Sequence, residues 1–138
     1  MIQRKQTLWL ILAAAASFLS LKFPFYTGTI LENGMSHYET LYGASNLFIL
    51  ALTAISILVS VITIFLYKDR KTQLWMAILG ILVSAGLLAL YITQIKKFDS
   101  GNIALTAIFV VAIVVFFFLA ARGIQKDQKL VKSLDKLR

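Results

Sequence analysis

The sequence of 138 residues contains no cysteine, a single proline and few charged side chains. Without cysteine the chain can form neither a disulfide framework nor a thiolate metal site. Charged residues make up 14% of the chain, whereas apolar residues make up 59% and the mean hydropathy is +0.83. Because a soluble domain is about half apolar and a quarter charged, this balance indicates a membrane protein.

Ionisable side chains are absent from three long apolar segments. Residues 44–67, 73–95 and 103–121 contain no Asp, Glu, Lys, Arg or His. Each segment is long enough to cross about 30 Å of hydrocarbon as a helix. The apolar residues form continuous runs and do not alternate with polar ones, so membrane helices are favoured over strands.

A fourth apolar segment, residues 7–25, is shorter in its uncharged part. That part ends before Lys22, so the segment crosses the membrane only if the Lys22 ammonium extends to the far headgroups. Phe23, Phe25 and Tyr26 would then anchor the interface. A signal peptide is the alternative, because Arg4 and Lys5 precede the apolar run. We favour an uncleaved helix because the small residues 13–16 lie inside the run, not after it.

These segments predict an all-α membrane protein, a four-transmembrane-helix bundle over residues 1–121 followed by a basic cytoplasmic tail, residues 122–138. Residues 26–43 form the one substantial outer loop. Its Asn33-Gly34 pair is typical of a two-residue hairpin turn, so residues 30–32 are expected to pair with residues 35–37.

The distribution of basic residues predicts the orientation. Of the 14 lysines and arginines, 11 lie in the amino terminus, in the connection between the second and third helices, and in the tail. These residues are Arg4, Lys5, Lys68, Arg70, Lys71, Arg122, Lys126, Lys129, Lys132, Lys136 and Arg138. Because cytoplasmic connections carry the excess of Lys and Arg, both termini are predicted to be cytoplasmic.

Small and hydroxyl-bearing residues recur at helical spacing inside two segments. They are Thr53, Ser56, Ser60 and Thr63 in the second helix, and Ala77, Gly80 and Ser84 in the third. Such residues let helices approach closely, so we interpret them as packing faces. The alternative is a polar pathway or ligand cleft, which would make the protein a small transporter or a membrane module that binds lipid or a small molecule.

The sequence contains no catalytic motif. No pairing of nucleophile and base or phosphate-binding loop is found, and the one histidine, His37, lacks the clustered ligand spacing of a metal site. We therefore predict no enzymatic activity, no cofactor and no bound metal.

The tail, KDQKLVKSLDKLR, has the pattern of a basic amphipathic helix. We expect Gly123 to end the fourth helix and Asp127 to cap a new one. The predicted contact residues are Lys126, Lys129, Leu130, Val131, Lys132, Leu134, Lys136, Leu137 and Arg138. This helix is expected either to lie on membrane lipids or to dock another membrane subunit or a cytoplasmic protein. Direct nucleic-acid binding is disfavoured, since one short basic helix makes only nonspecific phosphate contacts.

The opening MIQRKQT and the closing KDQKLVKSLDKLR, with four apolar segments between them, resemble a family of small four-helix inner-membrane proteins of unknown function from Bacteroidota. The resemblance implies a location in the bacterial inner membrane and no established activity. Together with the residue patterns, it leads us to expect an accessory or scaffold subunit of a larger membrane complex.

Overall fold

The computed structural model describes residues 3–137, which form four long helices and a small sheet. The helices are α1 (Gln3–Lys22), α2 (Leu47–Phe65), α3 (Arg70–Ile95) and α4 (Ile108–Lys136). The strands are β1 (Pro24–Glu32), β2 (Met35–Tyr42) and β3 (Ser100–Ile103). A short 3₁₀ turn, Leu105–Ala107, precedes α4. All three strands therefore lie in connections at the same end of the helices.

Each long helix packs against two others, in the order α1, α2, α3, α4 and back to α1. Leu10, Ile49, Leu87 and Phe117 are completely buried between them. The outward faces are also apolar: they expose the large side chains of Phe18, Leu58, Phe65, Leu82 and Phe118. Apolar side chains on both the inner and the outer faces suit a helix assembly that is surrounded by hydrocarbon.

Within residues 3–137, three helices are long and apolar enough to cross a membrane: Leu47–Phe65, Arg70–Ile95 and Leu105–Lys136. Helix α1 has 20 residues, but its first turn is polar and a run of alanines follows. Length and composition alone therefore support three membrane helices, where four are predicted from the sequence.

The predicted hairpin is present and is longer than expected. Asn33 and Gly34 have positive φ angles of 52° and 80°, as a type I′ turn requires, and Ile30 lies opposite His37. Pairing continues to Pro24 and Tyr42, because this part of the hairpin packs on the ends of the helices. The ring of Phe25 stacks on that of Tyr91 with centroids 4.3 Å apart.

The all-α prediction misses the sheet, which has the strand order β2-β1-β3. Strand β3 comes from a connection that has no strand pattern of its own. Its Gly101 pairs with Gly28 of β1, and a Cβ on Gly101 would lie only 2.4 Å from the Thr27 carbonyl oxygen. The close approach of β1 and β3 therefore depends on two glycines that are far apart in the sequence.

Two predicted boundaries are corrected by the structure. Helix α1 ends at Lys22, so Phe25 and Tyr26 belong to β1 and are buried rather than anchored at an interface. Helix α4 continues through Gly123 to Lys136, and no new helix begins at Asp127. A glycine costs a helix only about 1 kcal/mol, and here it provides room for the Gln6 side chain, whose Cγ would lie 3.0 Å from a Cβ at this position.

Polar side chains cap the starts of α2 and α3. The Asn46 side chain accepts a hydrogen bond from the Phe48 backbone N–H at 2.9 Å. Asp69 Oδ1 accepts one from the Thr72 backbone N–H at 3.4 Å. Asp69 Oδ2 also accepts a hydrogen bond from the Thr72 hydroxyl at 2.6 Å, which lowers the pKa of the exposed Asp69 carboxyl below its usual value. Both helices therefore begin where a side-chain oxygen replaces a missing backbone acceptor.

Two glycines of α3 provide a matched test of helix packing. A Cβ at Gly80 would lie 2.3 Å from the Phe117 ring, whereas a Cβ at Gly86 would meet only the Leu52 Cδ1 atom at 3.9 Å. We expect Gly80→Ala to lower the free energy of unfolding by about 1–3 kcal/mol through overpacking. Gly86→Ala should leave it unchanged or raise it by up to about 1 kcal/mol. Unfolding in detergent micelles, followed by circular dichroism, measures both, and equal losses would contradict this packing.

Candidate functional site

The first turn of α1 lies against the last third of α4, at the end of the helices opposite the sheet, which we call the open end. There the Gln6 Nε2 atom donates a hydrogen bond to Asp127 Oδ2 at 2.5 Å. Both side chains are buried, with exposed fractions of 4% and 6%. Asp127 Oδ1 is buried and has no hydrogen-bond partner among the described residues. Because an unpartnered buried carboxylate is costly, the bond from Gln6 is central to this contact.

A cavity of 460 Å³ opens beside this contact, between α1 and α4, and we call it the basic groove. It is lined by Lys5, Gln6, Trp9, Leu119, Arg122, Gly123 and Lys126. Among the residues whose side chains are described, the lining includes three cationic side chains and no acidic one. The Trp9 ring is held in place by stacking on Phe116, with ring centroids 5.9 Å apart.

Beyond the groove, α4 continues as a segment of exposed residues, 129–137, which we call the α4 extension. Its leucines become more exposed along the helix, from 49% at Leu130 to 63% at Leu134 and 85% at Leu137. Val131 is exposed as well. Lys129, Lys132 and Lys136 are also exposed. Of the predicted contact residues, Lys126 lies apart in the basic groove, and Arg138 lies outside the described residues.

The seven small and hydroxyl-bearing residues at helical spacing are all buried. In α2 the hydroxyls bond within their own helix: Thr53 donates to the Ile49 carbonyl at 2.7 Å and Ser60 to that of Ser56 at 2.6 Å. Ser56 Oγ also donates to Ser17 Oγ of α1 at 2.9 Å, whereas Gly80 of α3 meets Phe117 of α4. Ser56 of the α2 face therefore contacts α1, and Gly80 of the α3 face contacts α4.

His37 lies on the exposed strand β2, beside a cavity of 220 Å³ that Glu32 and Glu39 also line. In residues 3–137, no group of three or more His, Cys, Asp or Glu side chains is placed to hold a metal ion. The strand positions of these residues follow from the hairpin register, in which Ile30 faces His37.

Sequence reasoning missed most of the basic groove, because Gln6 and Asp127 are 121 positions apart. One local signal was available. Asp127 lies three residues before Leu130 and seven before Leu134, on the same face of the helix. An acidic residue on an apolar face is typical of a buried polar contact, not of a helix cap.

A match to a protein family covers almost the whole chain. A family model described as a domain of unknown function, DUF4293, matches residues 2–137. No curated protein and no solved structure matches the chain.

The contact between Gln6 and Asp127 predicts an asymmetric response to substitution. Within the described part of the chain, Gln6→Leu removes the one hydrogen bond to the buried carboxylate, and it should lower the free energy of unfolding by about 1.5–3 kcal/mol. Replacing both partners, Gln6→Leu with Asp127→Leu, should recover most of that loss, because no buried charge remains. Detergent-unfolding midpoints of the two variants and the parent provide the comparison. Additive losses in the double variant would contradict the coupling.

Proposed function

The chain belongs to the DUF4293 family, a name that assigns no activity, and from that premise we propose a non-enzymatic role as an accessory or scaffold subunit of a larger membrane complex. In this proposal the protein crosses the inner membrane of a bacterium four times, with both termini in the cytoplasm. The α4 extension docks on a partner protein. The observation that carries the proposal is the uninterrupted course of α4 past the end of its apolar segment.

The position of α1 supports four membrane crossings. Its 20 residues extend about 30 Å, which is the thickness of the hydrocarbon layer. It packs beside α4 from the Gln6 contact at the open end to the sheet end, where the ring of Phe23, just after α1, lies 5.8 Å from the Phe109 ring of α4 between centroids. If α4 crosses the membrane, its neighbour α1 crosses with it. Four crossings return both termini to one side, which carries 11 of the 14 basic residues.

The geometry of α4 favours a protein partner over the membrane surface. At 1.5 Å per residue, Leu130 lies about 13 Å and Leu137 about 24 Å beyond residue 121, where the apolar segment ends. The headgroup layer on each side is only about 5–8 Å thick. A tilt of about 40° would still leave Leu134 about 15 Å beyond that point. A helix lying flat on the membrane needs a break near Gly123, where α4 is continuous.

The chemistry of the α4 extension indicates what kind of partner it fits. Leu130, Leu134 and Leu137 follow the spacing of four and three residues with which one helix packs against another. By the helical repeat, Lys129 and Lys136 lie to one side of this apolar face, and Lys132 lies on the opposite face. We therefore propose an apolar groove edged by carboxylates as the partner surface. A second copy of this chain fits less well, because it would bring lysines of like charge together.

The topology can be tested by cysteine labelling, since the natural chain has no cysteine. Ser36→Cys lies on exposed β2 and Ser133→Cys on the exposed α4 extension. In intact cells whose outer envelope is permeable, a membrane-impermeant maleimide should label Ser36→Cys only. Ser133→Cys and Lys5→Cys should react after the membrane is opened. Labelling of Lys5→Cys but not of Ser133→Cys in intact cells would show that α1 does not cross.

Site-specific photocrosslinking tests the partner. A photoreactive residue at Leu134, on the apolar face, should give a discrete protein adduct in native membranes. The same residue at Ser133, on a neighbouring face, should give little of it. Higher salt should lower the yield at Leu134, since screening weakens the attraction between lysines and carboxylates. Adducts formed only with phospholipid, or only with a second copy of the chain, would contradict docking on a partner protein.

A further inference from the structure

The cationic side chains of the basic groove come from both of its walls. Arg122 and Lys126 are four residues apart and so share one face of α4. Lys5 lines the opposite wall, on α1, and none of the described residues that line the groove is acidic. Asp127 is next to Lys126 in the chain, but its buried carboxylate accepts the bond from Gln6 and does not line the cavity. The groove therefore has the charge of an anion-binding site.

On both walls of the groove, the lining residues change from charged at the open end to apolar farther along the helices toward the sheet end. We call this direction depth. On α1, Trp9 lies one turn deeper than Lys5. On α4, which runs the opposite way, Leu119 lies about 10 Å deeper than Lys126. An indole ring favours the depth at which headgroups meet hydrocarbon. The order of cation, indole and leucine matches the order of phosphate, glycerol and acyl chain in a phospholipid.

The floor of the groove is fixed by packing. The Gln6 side chain lies against Gly123, where a Cβ would come within 3.0 Å of its Cγ, and Asp127 holds its amide. Trp9 is stacked on Phe116. Because the side chains of Gln6 and Trp9 already have partners, they keep their positions beside the cavity. A ligand can therefore enter the groove without rearranging the helices.

We propose that the basic groove binds the phosphate headgroup of an anionic phospholipid from the cytoplasmic leaflet. Arg122 and Lys126 hold the phosphate oxygens together with Lys5, and Trp9 and Leu119 contact the glycerol and the first part of an acyl chain. Basic pockets between membrane helices on the cytoplasmic side are known to bind such headgroups. This inference rests on the proposed membrane crossing, but it does not depend on the partner of the α4 extension.

The test uses Trp9 as the reporter, in the full chain carrying Trp75→Phe, which leaves a single tryptophan. The protein is placed in phosphatidylcholine nanodiscs that contain a minor fraction of brominated phosphatidylglycerol or, separately, of brominated phosphatidylcholine. Bromine quenches tryptophan emission at short range. We expect the anionic lipid to be about tenfold more effective at equal mole fraction, as one or two interfacial cations would give.

Matched variants separate the groove from general positive charge. Arg122→Gln with Lys126→Gln should abolish the preference for phosphatidylglycerol, and Lys5→Gln should reduce it. Lys129→Gln with Lys132→Gln removes the same charge from α4 outside the groove and should preserve it. Equal losses in the two double variants, or no loss in the first, would overturn the assignment. Relief of quenching by excess inorganic phosphate would also overturn it, in favour of a site for free phosphate.

The two proposals fail in different ways. If the chain does not cross the membrane, brominated phosphatidylcholine will not quench Trp9, and the maleimide labelling pattern will be wrong. If both brominated lipids quench Trp9 equally while the labelling pattern is as expected, only the lipid site is overturned.

Discussion

The antiparallel packing of α1 against α4 is the contact on which the rest of the open end depends. This packing brings the first turn of α1 to the last third of α4. There a hydrogen bond from Gln6 to Asp127, both of them buried, joins the two helices. Asp127 is held by this contact instead of acting as a helix cap, and Gly123 provides the room for Gln6. Helix α4 therefore continues without a break. The basic groove and the exposed α4 extension both result from this arrangement.

The two ends of the molecule differ in how they are covered. At the sheet end, β1 places Phe25 on Tyr91 and Tyr26 against Phe98, so aromatic packing closes the space between the helices. At the open end no strand covers the helices in residues 3–137, and cationic side chains border a cavity. In the proposed topology the covered end faces outward, and the open end lies where anionic lipid and cytoplasmic partners are available. The difference supports locating the binding surfaces at the open end.

The features predicted well from the sequence depend on residues that are close together in the chain. Asn33 and Gly34 adopt positive φ angles in adjacent positions, so the hairpin followed from two residues. The uncharged segments likewise correspond to α2, to α3 and to the first half of α4. Strand β3 could not be found in this way, because its pairing needs Gly101 to meet Gly28 across more than half the chain. Local signals at Gly123 and Asp127 were misleading, because glycine and aspartate commonly end and begin helices.

The sequence by itself determined the apolar segments and the uneven distribution of lysine and arginine, because both are sums over neighbouring residues. It also determined which face of the last helix is apolar, since that follows from the helical repeat alone. Only the tertiary structure decided that α4 is one unbroken helix that carries this apolar face past its membrane segment. The tertiary structure also decided that Lys5, Arg122 and Lys126 border one cavity. The physical reason is that a buried hydrogen bond between residues 121 positions apart fixes both. Because Gln6 and Asp127 are so far apart in the chain, no local stretch of the sequence includes both partners of this bond.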